Sequence, residues 1–516
     1  MNEHTVIIIT IIAYIILMAA VSVVSSKKIT RASDLTVGGR NAGAWLSALS
    51  YGTAYFSAVM FVGYAGATGW SFGLYGVLAG LGNAVFGSYL AWKLLARRTR
   101  DVSYRLKIKS MPQFFELRYN SKAMRTFASV VMFIFLIPYS ASVYKGLASV
   151  CKVVLDIPEM TCMIIIAVVA SLLLVFGGYM AQVRADFVQG IIMMFGVALM
   201  IFFVIRCDTV GGVKGIAEYA QNGGLPSLSA SQWVSLMATV LMTSFGTWGL
   251  PQMVQKYFGI KDDSQAKKGI VISTFFALLV SGGGYFIGSL AHRFFSAMPE
   301  GGQDYIVPNM LKIASLPSVL LGVILVLLIS ASVSTLSSIS LTAGSILSMD
   351  IVKEKFKKDM SDKNLKILIK AVCFLFVVCS FVVANTDTPI LDMMSYSWGI
   401  ISGSFIAPYI LALYCKKINR KGAWAAILSG FFIAIVPAFS KCVMLAAGNP
   451  KSAEGALKTV SDLASKGPLF ACIAMAVSII VCLAVSFATP KNFEKCNADY
   501  FYNGKVDRSH DNEIPA

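Results

Sequence analysis

Apolar stretches long enough to span a bilayer alternate with short polar connections along nearly all of the 516 residues. A helix rises about 1.5 Å per residue, so roughly 18 or more apolar residues cross the hydrocarbon core. Thirteen stretches qualify, near 5–25, 42–69, 73–95, 126–151, 158–178, 184–206, 232–254, 268–290, 318–348, 366–385, 393–414, 423–445 and 468–488. The pattern predicts an all-α integral membrane protein of about thirteen transmembrane helices. The longest polar stretches, at 97–125, 207–231, 446–467 and after 490, are too short for a fused kinase or nucleotide-binding module.

Three stretches depart from plain apolar helix. The ninth, LVLLISASVSTLSSISLTAGSILSM (325–349), carries Ser334, Thr335, Ser338, Thr342 and Ser345 at i, i+1, i+4, i+8 and i+11, which lines one helical face with hydroxyls. At membrane depth such a face must meet another helix, water or a cation, unless the hydroxyls bond back to their own helix. The second, GTAYFSAVMFVGYAGATGW (52–70), crowds Gly63, Gly66 and Gly69 into one half, with Thr53, Ala54, Ser57 and Ala58 in the middle. The seventh, TSFGTWGLPQMVQKYF (243–258), is interrupted by Gly246, Gly249 and Pro251, and Pro251 forfeits a helical donor. These two are five stretches apart, the placement expected of broken helices that each open a five-helix unit of opposite orientation.

Charge sets the expected orientation. With the N-terminus outside, 34 of the 44 Lys and Arg residues fall in cytoplasmic loops or at their edges, including 93–125, 256–268, 353–370 and 416–421. The net charge of +18 then reports topology, and no nucleic-acid partner is expected. The composition agrees: 57% hydrophobic, 14% charged, mean hydropathy +0.71. The first stretch is too long for a cleavable signal, is followed by Lys27, Lys28 and Arg31, and lacks an A-x-A-like site, so it reads as a retained helix. Ten scattered cysteines without a C-x-x-C read as small apolar fillers, and three histidines (His4, His292, His510) leave little for histidine catalysis. No G-x-S-x-G or Walker motif occurs, and the intramembrane acids are too few and isolated for a lipid-acting enzyme. The tail CNADYFYNGKVDRSHDNEIPA is too short for a signalling domain.

The chain resembles the sodium/solute symporter family over nearly its whole length. The resemblance rests on DLTVGGRNAGAWLSALSYGTAYFSAVMFVGYAG (34–66), GGYMAQVRADFVQGIIMMFG (177–196), GTWGLPQMVQKYFGIKDDSQAKKG (246–269), ASVSTLSSISLTAGSILSMDIVK (331–353) and GIISGSFIAPYILALYCKKINRKGAWAAI (399–427), in that order. It implies a LeuT-type 5+5 inverted repeat, with five-helix units at 42–207 and 232–416. A flanking helix within 1–30, two more within 423–490 and a cytoplasmic tail at 491–516 would complete it, in the cell membrane. It also implies sodium-driven uptake of a small solute, with sodium as the coupling ion; the oligomeric state stays open, a monomer included.

Carried over residue by residue, the resemblance implies a first sodium site of the Thr53, Phe56 and Ala331 carbonyls and the Ser334 and Thr335 hydroxyls. Five neutral oxygens suit a loosely held monovalent cation. A second site is implied at Asp186 with Ser334, Ser337 and Ser338; alternatively Asp186 pairs with the nearby Arg184 or caps its helix. The solute pocket is expected among Ser57, Met60, Tyr75, Asn83, Tyr139, Trp248, Gln252, Ser395 and Trp398, although any of these aromatic residues could be plain core. Met60, Ala79 and Ser395 stand where the sugar-carrying branch has Gln or Glu, which argues against a hexose; Lys145, as a cation that a carboxylate could meet, turns the expectation to a carboxylate or amino acid. Lys145 inside an apolar helix either meets a carboxylate or snorkels outward. Sugar or vitamin transport, proton coupling and a transporter-like sensor are the alternatives.

Overall fold

The computed structural model describes residues 3–26, 40–176, 179–314, 316–448, 455–489 and 501–502. The stretches 27–39 and 177–178 of the motifs, and the tail apart from 501–502, lie outside the described residues. The fold is helical, and among the described residues its one strand-like pairing is an isolated bridge between Ala42 and Ile260. In chain order the helices are α1 (Glu3–Ser26), α2 (Ala44–Tyr55), α3 (Ala65–Phe72), α4 (Val77–Gly82), α5 (Arg97–Arg105), α6 (Met111–Tyr119), α7 (Lys122–Leu155), α8 (Glu159–Phe176), α9 (Tyr179–Arg206), α10 (Gly212–Tyr219) and α11 (Ala230–Phe245). There follow α12 (Pro251–Phe258), α13 (Asp263–Ala277), α14 (Gly283–Ser289), α15 (Ala291–Phe294), α16 (Ile306–Ile313), α17 (Ser318–Ile346), α18 (Asp362–Ala384), α19 (Ile390–Tyr414), α20 (Arg420–Ala446), α21 (Ala456–Ala464) and α22 (Gly467–Ala488).

Helix occupies each of the thirteen predicted stretches. Among the described residues, nine continuous runs are long and apolar enough to cross a bilayer, or ten with the bent pair α11 and α12; α1 and α8 hold the shorter apolar segments Ile9–Val21 and Glu159–Ser171. Helix starts follow local chemistry. Ser110, Ser121, Asp262, Ser361 and Asn419 each accept a bond from a first-turn amide, and Ser229 with Gln232 forms a reciprocal cap before α11.

α17 and α19 are the most deeply buried long helices, with α17 against α1, α7, α9 and α18, and α19 against α7, α20 and α22. Lipid gives helices no hydrophobic drive to associate, so close approach through small residues does that work. A Cβ at Gly69 would overlap the Gly288 carbonyl, and one at Gly430 would overlap the Gly403 carbonyl. Both expected breaks are present. α2 ends where Phe56 turns extended (φ −101°, ψ 106°), and the chain resumes as a π-helical turn, Val59–Tyr64, leading into α3. α11 passes through the 3-10 turn Gly246–Gly249 to an extended Leu250 (ψ 126°) before Pro251, and α12 departs at 51°. α2 and α12 then pack side by side, with Tyr51 stacked on Tyr257 at 5.6 Å.

Candidate cation and solute site

Two residues in the middle of α17 organise the polar centre. Thr335 Oγ1 lies 3.0 Å from its own helix's Ala331 carbonyl and 3.0 Å from the Thr53 carbonyl of α2. Thr53 precedes the break by three residues, so its carbonyl lies where the helical ladder runs out. Thr53, Ala331 and Thr335 are all buried. Three of the five implied first-site oxygens therefore converge across two helices. Phe56 sits in the break itself, and its amide still donates to Gly52.

Ser334 faces elsewhere. Adjacent helical residues point about 100° apart, and Ser334 Oγ donates to Asp186 Oδ1 of α9 at 2.6 Å. Asp186 Oδ2 accepts from Ser50 Oγ of α2 at 2.5 Å and from the Lys256 ammonium of α12 at 3.1 Å. Asp186 is fully buried, Lys256 is 3% exposed, and the ammonium lies 5.6 Å from the Tyr179 ring centre. Asp186 thus pairs with a lysine 70 residues away on another helix. Of the implied second-site hydroxyls, Ser334 reaches Asp186, and the other two do not bond to it. Ser338 is bonded by Gln182, one turn before Asp186, and the buried Ser337 hydroxyl has no hydrogen-bond partner. Lys256 is the residue that sequence reasoning missed, counted among the basic loop-edge positions. Its flanks, Met253, Val254, Tyr257 and Phe258, were the signal of a cation inside an apolar turn.

The hydroxyl stripe continues as a polar seam. Thr342 Oγ1 donates to Gln255 Oε1 at 2.6 Å, and Ser345 lines a narrow cleft with Lys109, Ser110 and Gln255. The stripe therefore leads from the broken helix α2 towards the lysine- and arginine-rich end of the bundle.

The solute candidates divide. Tyr139 and Trp398 meet edge to face at 5.4 Å, Trp398 lies 6.0 Å from Tyr55, and Tyr55 stacks on Phe56 at 4.1 Å. The Tyr139 hydroxyl reaches the Ala54 carbonyl at 3.4 Å, and Ser57 Oγ accepts from the Val59 amide. Trp398 Nε1 and both ends of the Gln252 amide are buried without a hydrogen-bond partner. Other candidates are committed to helix packing. Asn83 bridges Ser281 and Ser244, Trp248 Nε1 donates to Phe86 O at 3.0 Å, and Met60 packs at Gly284. Ser395 is turned to Gly467 of α22 and its own Asp392 carbonyl, and Tyr75 lies against Trp233. Face was the missing information: period 3.6 says which residues share a stripe, not which stripe meets the centre. Lys145 donates to the Thr386 and Thr388 carbonyls at 3.2 and 2.8 Å, at the end of α18 and the turn into α19.

Comparison with known proteins decides the family, since the profile of the sodium:solute symporter family matches residues 35–430. The chain belongs to that family. The symporter is 27% identical over 434 residues to the osmoregulated proline transporter OpuE of Bacillus subtilis (82% of this chain, 87% of the relative). It is 23% identical to the sodium/pantothenate symporter of Escherichia coli (82% and 89%) and 23% to the sodium/proline symporter of that organism (84% and 88%). In fold it is similar to a solved Na+-coupled sialic acid symporter, with TM-score 0.77 and 17% identity over 94% of this chain and 97% of the other. It is a multi-pass, LeuT-type membrane transporter, not an enzyme.

Proposed function

We propose that this symporter imports a small carboxylate-bearing solute, in the first instance an amino acid, together with sodium by alternating access. The observation that carries the ion assignment is the meeting of Thr335 Oγ1 with the Thr53 and Ala331 carbonyls across α2 and α17. The Phe56 carbonyl, in the break, is the remaining ligand of the set; the Ser334 hydroxyl that the resemblance implied is taken up by Asp186 in this arrangement. A cation bridging α2 and α17 binds best where both helices are in place, and this differential affinity is what coupling requires. At about −100 mV an inward sodium contributes roughly 2.3 kcal/mol, and a tenfold gradient roughly 1.4 more, enough for several-hundred-fold accumulation of a neutral solute.

For the solute, support comes from the unpartnered Gln252 amide in the first turn of α12 and the Trp398 indole N–H near the break. The positive end of the α12 dipole favours a carboxylate, while the Gln252 side chain offers one donor side and one acceptor. Proline carriers and a pantothenate carrier among the relatives point the same way. The topology proposed has thirteen crossings, units at 42–207 and 232–416, the N-terminus outside and the C-terminus in the cytoplasm, supported by 34 of 44 basic residues.

The test is thermal stability of the purified protein with amino acids, carboxylates, vitamins and sugars, each in sodium and in potassium. A carboxylate-bearing ligand that stabilises only in sodium is the expected result. Stabilisation indifferent to sodium would overturn the coupling, and a hexose alone would overturn the solute class.

A further inference from the structure

Asp186 is surrounded by three donors from three other helices, and one of them is already a cation. Ser334 of α17, Ser50 of α2 and the Lys256 ammonium of α12 occupy both carboxylate oxygens. The pair is neutral as a unit and closed to water. A sodium ion added here would set two positive charges against one buried carboxylate, an arrangement that desolvation and like-charge repulsion both oppose. What excludes the ion is charge and not a shortage of oxygens: the Ser50 and Ser334 hydroxyls already reach the carboxylate, and the buried Ser337 hydroxyl nearby on α17 has no hydrogen-bond partner. The residues present do not fit a second sodium.

We infer that Lys256 is a built-in cation standing in the place of a second sodium at Asp186. The protein then binds one sodium per cycle, and removing the lysine charge creates a second sodium site. The tethered ammonium joins α12, α9, α2 and α17 as a bound ion would, but it cannot leave with the solute. Because it belongs to the inner part of the broken helix α12, its contact with Asp186 changes only if α12 and α9 move apart. This inference rests on the first sodium site proposed above.

Equilibrium binding of radioactive sodium to the purified full-length protein tests it by counting ions per chain. One sodium is expected in the wild type, two in Lys256→Met, and one again when Lys256→Met is combined with Asp186→Asn. The steepness of sodium binding should rise with the count. Two sodium ions in the wild type, or one in a Lys256→Met protein that remains monodisperse, would overturn the inference alone. Where Lys256→Met does not fold, the wild type and the neutral double variant decide, since two ions in either is inconsistent with a lysine that blocks the site. No sodium bound to the wild type would instead remove the first site, and the reading above with it.

Discussion

Neighbouring hydroxyls on α17 serve polar centres of opposite character. Around Thr335 the bonded groups are neutral, two carbonyls and a hydroxyl, the character that the proposed sodium site requires. Around Ser334 the charges are already matched, Asp186 to Lys256, and the arrangement belongs permanently to the protein. One helix thus turns neutral oxygens to α2 on one side and ties itself to a charged pair on the next. Exchangeable binding wants oxygens without fixed charge; a lasting tie in a dry interior wants a complete ion pair with its hydrogen bonds made.

Asp186→Asn is the strongest way to break the comparison. It leaves a buried ammonium without its countercharge, and removing one partner of such a pair costs about 3–5 kcal/mol. A large fall in melting temperature is expected, with more than half of it recovered on adding Lys256→Met. An unchanged melt for Asp186→Asn would mean the pair holds nothing together.

Separating the two hydroxyls sharpens the contrast. Thr335→Val keeps the shape and removes the oxygen, so half-saturating sodium should rise by about tenfold or more, equivalent to roughly 1.4 kcal/mol. Ser334→Ala removes a bond to a carboxylate, worth about 1.5–3 kcal/mol of stability, and should shift the melt more than the sodium response. The double change Ser334→Ala with Thr335→Ala should abolish sodium-stimulated uptake in a protein that still folds. Equal sodium responses from Thr335→Val and Ser334→Ala would erase the distinction.

A third polar centre, outside the membrane spans, gives the smallest effect. Asp304 accepts from the Ile390 amide at the start of α19, while its other oxygen is buried without a partner. Burial pushes its carboxyl up from the ordinary 3.8 to about 6, against the opposing pull of that amide and of Lys145. A raised carboxyl favours the folded arrangement fully below the unfolded value and loses that contribution as pH rises through the folded one. Backbone exchange in the 303–313 segment, corrected for intrinsic rate, should therefore be slower at pH 5 than at pH 7. Asp304→Asn should flatten the dependence, and a slope unchanged in that variant would assign it to another group.

Much of the frame was legible because it is local. Helix length, the break at Pro251, the glycines beyond Ser57 and the hydroxyl stripe all follow from residues within a few turns of one another. The site was legible in part. Thr53, Ala331 and Thr335, named as ligands through the family resemblance, lie within hydrogen-bond distance of one another, whereas Ser395, Tyr75, Asn83 and Trp248 face neighbouring helices, because a stripe on a helix does not say which neighbour it meets. Asp186 was read beside Arg184 or with serines; its ammonium partner came from Lys256, hidden within the count of basic loop-edge residues.

The sequence by itself determined that this chain crosses a membrane many times, where two helices break, and that one helix carries a line of oxygen. Those properties depend on hydropathy and on period along a single helix. Only the tertiary structure decided that Thr335 turns to the carbonyl of Thr53 while Ser334 turns to Asp186, and that Lys256 closes the charge there. The physical reason is distance along the chain: Thr335 and Thr53 lie 282 residues apart, Lys256 and Asp186 lie 70 apart, and no local pattern encodes which remote helix comes to lie alongside.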